Sequence, residues 1–167
     1  MVATAIHIDN KEVYDALYAV SDPEIPVLSV LDMGVIRQVE IKNEEVFITL
    51  TPTYSGCPAM DTIADDIKFA LGKLGFHVRV ELVLSPAWST DWITEEGRKK
   101  LEAYGIAAPL SPELDKRALL ENERIVKCTH CGSTHTRLVS QFGSTACKAL
   151  FQCEECLEPF DYFKCLK

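Results

Sequence analysis

Apolar positions along the first 84 residues switch from helical to strand-like spacing and back, and each switch marks an element. Val13, Ala16, Leu17 and Val20 recur at intervals of three and four, one face of a helix that Asp9 or Asn10 can cap. The pattern stops in SDPEIPVLSVLDMG, where two prolines within four residues and the pair Ser21-Asp22 predict an ordered loop, with Gly34 as a second break. VIRQVEI and EVFITLTPT then alternate in character on either side of Lys42, Asn43 and Glu44, as a β-hairpin does. Pro58 opens PAMDTIADDIKFALGKLG, whose Met60, Ile63, Ala64, Ile67, Ala70, Leu71 and Leu74 form a helical stripe closed by Gly75. HVRVELVL follows as a strand. The order α-β-β-α-β predicts a small α+β domain over residues 1–84.

Residues 85–126 have a different texture. SPAWSTDWIT leads into a polar helix from Glu95 to Tyr104, and GIAAPLSPELDKRALLENERIV completes a connector that partly folds. Residues 127–167 hold six of the seven cysteines among several β-type runs, which predicts a separate small module. Neither an internal repeat nor a low-complexity tract is present.

Composition narrows the function classes. With 47% hydrophobic residues in 167, the chain can fill a core. The N-terminal residues lack a basic start followed by an apolar run, and no stretch of eighteen uncharged apolar residues occurs, so a soluble cytoplasmic protein without membrane contact is expected. Seventeen Lys and Arg against 25 Asp and Glu give a net charge of -8, which argues against nucleic-acid binding. Residues 127–167 carry five basic and four acidic side chains, or +1, leaving -9 on the rest. In a reducing compartment an odd number of cysteines reads as metal ligands or reactive thiols rather than disulfides.

The strongest spacing is Cys128-x-x-Cys131 followed, after 21 residues, by Cys153-x-x-Cys156. Two such turns present four thiolates tetrahedrally, and the intervening length suits a hairpin that brings them together. Gly132 fits a tight knuckle. A module of this size buries too little apolar surface alone, so the metal would supply folding energy. Structural zinc is the leading reading, with a rubredoxin-like iron site or an iron-sulfur cluster as alternatives. Four thiolates leave no open position for catalysis. Cys147 and Cys165 remain as buried small residues or as extra thiols for metal, and His130 and His135 read as surface residues beside the four cysteines.

Cys57 stands apart, at the end of the second strand and immediately before Pro58. A helix N-terminus favours the thiolate, the form that attacks electrophiles or binds metal. Packing and function both remain open for it. The chain offers no neighbouring histidine as a base, and His77 reads as a strand residue, so a Cys-His enzyme is weakly supported. Asp22 and Glu24 are two carboxylates on a rigid loop, suited to acid-base work or hard metals, although turn chemistry alone explains the Asp-Pro step. Trp88 and Trp92 read either as a partner-binding face or as core packing.

DPEIPVLSVLDMGVI and TPTYSGCPAM together resemble the small α/β family associated with iron-sulfur cluster assembly, with its DPE loop, Gly-Val strand start and Thr-x-x-x-Cys-Pro helix start. WSTDWIT and the tail FGSTACKALFQCEECLEPFDYFKC are similar to one branch, the PaaD (PaaJ) family that accompanies phenylacetyl-CoA ring epoxidases. That resemblance implies an accessory protein of phenylacetate catabolism rather than an enzyme. It implies oxygenase and reductase subunits as partners, and delivery or repair of their iron or iron-sulfur centres. It carries the motif onto Asp22, Glu24, Thr53 and Cys57, with Cys57 as a transient ligand for iron or a cluster. The alternative function is a non-catalytic adaptor bridging oxygenase and reductase.

Overall fold

The computed structural model describes residues 8–121 and 123–164. Cys165, one of the extra thiols, lies outside them. Among the described residues, no helix is long and apolar enough to cross a membrane. The chain divides into two compact units, Met1–Gly97 and Arg98–Lys167.

In the first unit, helix α1 (Lys11–Tyr18) begins where the Asn10 side chain accepts the Val13 N–H at 3.1 Å. Strands β1 (Ile36–Lys42) and β2 (Glu45–Leu50) form the expected antiparallel hairpin, and Asn43 supplies the left-handed backbone, φ 55°, that its two-residue turn requires. Helix α2 (Ala59–Gly72) then returns the chain so that β3 (His77–Leu82) lies parallel to β2, giving a sheet of order β1-β2-β3. The alternation in β2 explains the core: Val46, Ile48 and Leu50 point inward, and with Val13, Leu17, Ile63, Ile67 and Leu71 they are almost wholly buried. Burying one such side chain contributes about 1.5–3 kcal/mol, which holds the helices against the sheet. α2 stops short of Leu74, which is exposed, so the sequence stripe overshoots the helix by two residues.

The second unit begins within helix α3 (Glu95–Tyr104), whose bounds match the sequence reading. Strand β4 (Ile106–Ala107) and helix α4 (Pro112–Leu120) follow, α4 capped by Ser111. Strands β5 (Thr136–Ser140), β6 (Lys148–Cys153) and β7 (Pro159–Phe163) form an antiparallel meander, and β4 adds parallel to β7. Phe151 stacks on Phe160 and meets Tyr162 edge-on at its centre, with Ala107 from β4 and Ala118 from α4 packed into the same core.

Residues 85–126 are therefore not a separate connector. Trp88 and Ile93 are buried within the first unit, whereas Ile106–Ala107 and Ala118 complete the sheet and core of the second. The sequence reading missed this because β4 has only two residues and α4 has an amphipathic face too short to stand out.

Candidate functional site

Each Cys-x-x-Cys turn is built by backbone hydrogen bonds. Gly132 N–H donates to the Cys128 carbonyl at 2.9 Å and Cys128 N–H to Ser133 at 2.9 Å, while Cys153 N–H donates to Glu158 at 3.0 Å. The His130 and Glu155 amides donate to the Cys128 and Cys153 sulfurs, both at 3.4 Å. All four Sγ atoms lie within 4.8 Å of one another, with Cys128–Cys156 at 3.7 Å and Cys131–Cys153 at 3.5 Å. A tetrahedral zinc with Zn–S bonds of about 2.3 Å requires S···S separations of about 3.8 Å, so the donor set fits that metal. The crowded thiols share their protons unequally: the Cys153 thiol is drawn down, first by the Cys156 backbone N–H, while the Cys131 and Cys156 thiols are pushed up.

The other thiols and histidines of this unit stay apart. Cys147 is buried beside the Thr145 hydroxyl, 3.1 Å away, and does not join the four. His130 and His135 are exposed, and His135 Nδ1 contacts Glu155 Oε1 at 2.7 Å.

Cys57 sits in the turn between β2 and α2. Gly56 takes a left-handed backbone, φ 88°, and Cys57 N–H donates to Tyr54 at 3.2 Å, bringing the sulfur to the helix start. Pro58 has no capping side chain, and Cys57 Sγ accepts the Ala59 N–H in its place. The Thr53 hydroxyl also donates to Sγ, and the charges of Glu24 and Asp22 both bear on it. The charges of Asp22 and Glu24, more than thirty residues before Cys57 in the chain, thus act on its thiol, while among the described residues the group of three or more His, Cys, Asp or Glu side chains placed to hold a metal ion is the four cysteines, without Cys57. It places His77 beyond the opposite end of α2.

One expectation is reversed. The helix start was expected to favour the thiolate, yet the Cys57 thiol is pushed above the ordinary thiol value. Burial is the main cause, since Cys57 is 9% exposed, and the two carboxylates add to it. The Ala59 amide and Thr53 hydroxyl pull the other way and lose.

The carboxylate loop is tightly tied. Asp22 Oδ1 accepts the Glu24 and Ile25 amides at 2.7 and 2.9 Å, and Asp22 N–H donates to Leu28 at 2.9 Å. Ser21 and Ser29 form an antiparallel bridge across its base. Asp22 thus performs the turn chemistry that its Asp-Pro step suggested while standing near the thiol.

Trp88, one of the two tryptophans offered for a partner, packs in the core of the first unit. It is 2% exposed, and its Nε1 donates to the Met33 carbonyl at 3.0 Å, because the amine of a buried indole needs a partner. Trp92 is half-buried, stacked under the Arg37 guanidinium 3.6 Å from its ring. Its backbone lies so close to Gly34 that a Cβ there would stand 2.3 Å from the Trp92 carbonyl oxygen.

The sequence reading passed over Asp32, 3% exposed in the loop before β1. Ser29 N–H donates to Asp32 Oδ2 at 3.3 Å, and Asp32 N–H donates to Ser29 Oγ at 3.0 Å. This reciprocal pattern is visible as Ser29-x-x-Asp32, the spacing of a capping box, and was the signal available.

Two family models match the chain: an iron-sulfur cluster assembly protein over residues 10–82 and a PaaD zinc beta ribbon domain over 113–164. A protein of Escherichia coli, named for its place as the D component of 1,2-phenylacetyl-CoA epoxidase, is 48% identical over 156 residues, covering 93% of this chain and 92% of that one. An Fe-S protein maturation auxiliary factor of Porphyromonas gingivalis is 34% identical over 55% of this chain and 90% of its own. The crystal structure of a domain of unknown function, DUF59, from Bacillus anthracis superposes with a TM-score of 0.50 at 29% identity, covering 54% of this chain and 88% of that domain.

Proposed function

The chain belongs to the PaaD family of phenylacetyl-CoA epoxidase components, and from that premise we propose that it is an accessory, non-catalytic protein that matures or repairs the iron or iron-sulfur centres of the epoxidase's oxygenase and reductase subunits. The observation that supports this reading is the Cys57 sulfur at the start of α2, bonded by the Ala59 amide and the Thr53 hydroxyl, with the charges of Asp22 and Glu24 bearing on it. One thiol in the field of two carboxylates attracts a cation without enclosing it, as a protein that must hand iron on requires.

The residues divide the work by their chemistry. Cys57 is the ligand whose proton must leave when iron cargo arrives, and its raised value keeps it a thiol at neutral pH until then. Asp22 and Glu24 disfavour a bare thiolate but attract a cation, so the same charges that hold the proton draw the cargo. Thr53 and the Ala59 amide fix the sulfur's direction. The four cysteines at the β-turns hold zinc as scaffold, with every coordination position filled by protein.

A maturation factor acts before turnover, whereas an adaptor must be present in every working complex. Partner subunits purified from cells that contained this protein, then freed of it, are expected to epoxidise phenylacetyl-CoA. Subunits from cells that never contained it are expected to be inactive and poor in iron and sulfide. Full metal content in the second preparation, with activity restored by adding this protein without iron or sulfide, would instead support the adaptor. Cys57→Ser is expected to fold normally and to fail to support epoxidation in cells.

A further inference from the structure

Residues 83–97 lie beyond the stretch matched by the iron-sulfur assembly family, yet they are built into the first unit through a narrow set of contacts. Trp88 Nε1 donates to Met33, and Trp92 stacks on Arg37 and packs its backbone against Gly34. Thr94 N–H donates to the Asp32 carbonyl at 2.9 Å, and Thr94 Oγ1 donates to Asp32 Oδ1 at 3.2 Å while accepting the Gly97 N–H at 2.9 Å. Gly97 is so close that a Cβ would lie 3.0 Å from the Asp32 carbonyl oxygen. These contacts converge on residues 32–37, directly after the carboxylate loop.

Asp32 relays this clasp into the loop. Its carboxylate and amide bind both polar groups of Ser29, and Ser29 bridges Ser21, the residue before Asp22. Val30 N–H donates to Val20 at 2.9 Å beside the same bridge. Hydrogen bonds therefore run from Thr94 to Asp32 and from Asp32 to Ser29, and the bonds on either side of the Ser21–Ser29 bridge, Asp22 N–H to Leu28 and Val30 N–H to Val20, tie Ser29's strand to the residue whose carboxylate bears on Cys57.

We propose that residues 88–97 form a clasp that fixes the carboxylate loop beside Cys57, with Asp32 as the positioning residue. Asp32 is buried away from the thiol's own contacts and acts through the loop. The inference rests on the cargo reading for its purpose, but its test does not.

In the zinc-loaded full chain, Asp32→Asn and Thr94→Val are expected to speed hydrogen exchange at the Glu24 and Ile25 amides by about tenfold, since Thr94→Val removes a hydrogen bond to the buried carboxylate and Asp32→Asn turns one of its two accepting oxygens into a donor. Alkylation of Cys57 by iodoacetamide at one fixed pH, followed on its own peptide by mass spectrometry, is expected to accelerate in parallel. Protection in β2 is expected to persist. Thr94→Ser is expected to restore wild-type values, and in a Glu24→Gln background the alkylation gain from Asp32→Asn is expected to shrink. Exchange at Glu24 and Ile25 and alkylation of Cys57 that stay within twofold of wild type in Thr94→Val, with β2 still protected, would reduce the clasp to packing and overturn the proposal. Thr94→Val gives this answer even where Asp32→Asn fails to fold. Metal insertion into partners is not read here, so the maturation reading stands or falls separately.

Discussion

Leu157 occupies in the second Cys-x-x-Cys turn the place that Gly132 occupies in the first, one residue past the last thiol, and both are left-handed, with φ of 66° and 75°. Glycine takes this conformation without strain, whereas leucine crowds its own carbonyl at a cost of about 1–2 kcal/mol. The Leu157 side chain is 68% exposed, so little packing offsets that cost. Leu157→Gly is expected to stabilise the second unit by up to about 1 kcal/mol after the greater freedom of glycine in the unfolded chain is deducted. Gly132→Ala meets no neighbour within 4 Å, so its loss of about 1 kcal/mol is expected to come from the backbone alone. Urea melts of the zinc-loaded variants measure both.

Chelation is expected to release one zinc per chain and to unfold the second unit alone. Its core includes two of the cysteines themselves, Cys128 and Cys153, so loss of metal removes the cross-link that ties both turns to that packing. Hydrogen exchange is expected to show β6 and β7 losing protection while β2 keeps it. A single cooperative loss across both would contradict two independent units.

The raised Cys57 thiol sets a pH dependence. An acid whose value is raised by folding favours the fold while protonated, so its contribution is full at neutral pH and fades as pH climbs through the raised value. Alkylation of Cys57 is therefore expected to lag an ordinary thiol at pH 7.5 and to keep gaining about tenfold per pH unit to above pH 9. Glu24→Gln is expected to quicken it only about two- to threefold, because burial outweighs the carboxylates.

Tyr162 joins β7 to α4. Its hydroxyl donates to Asp115 Oδ1 and accepts the Leu110 N–H at 3.0 Å, and burial and the Asp115 charge push its ionisation far up. Tyr162→Phe strips a donor from a buried carboxylate and an acceptor from an amide. A loss of about 1–3 kcal/mol is expected in the zinc-loaded melt, larger than that for an exposed tyrosine such as Tyr104.

The elements of the first unit were legible because period and punctuation agree there: Asn10 caps, Asn43 turns, and β2 alternates strictly. The four-cysteine cluster was legible because spacing within a short turn fixes geometry. The direction of the Cys57 thiol was not, since a helix start is a local signal while burial and two carboxylates from a distant loop are tertiary. Trp88 was ambiguous for the same reason: an indole at a surface and one in a core read alike until Met33 is seen to accept its N–H. Leu157 hid because no leucine advertises a left-handed backbone.

The two family matches stop at residue 82 and resume at 113, yet the first unit keeps Trp88 and Ile93 in its core and the second keeps Ala107 and Ala118, of which Ala107 falls in the gap. The stretch between the two family matches is thus built into the two cores rather than left as a linker. Dissection at the apparent borders would leave the first fragment without its indole plug and the second without an edge strand. A cut between Gly97 and Arg98 spares both cores, although it severs α3.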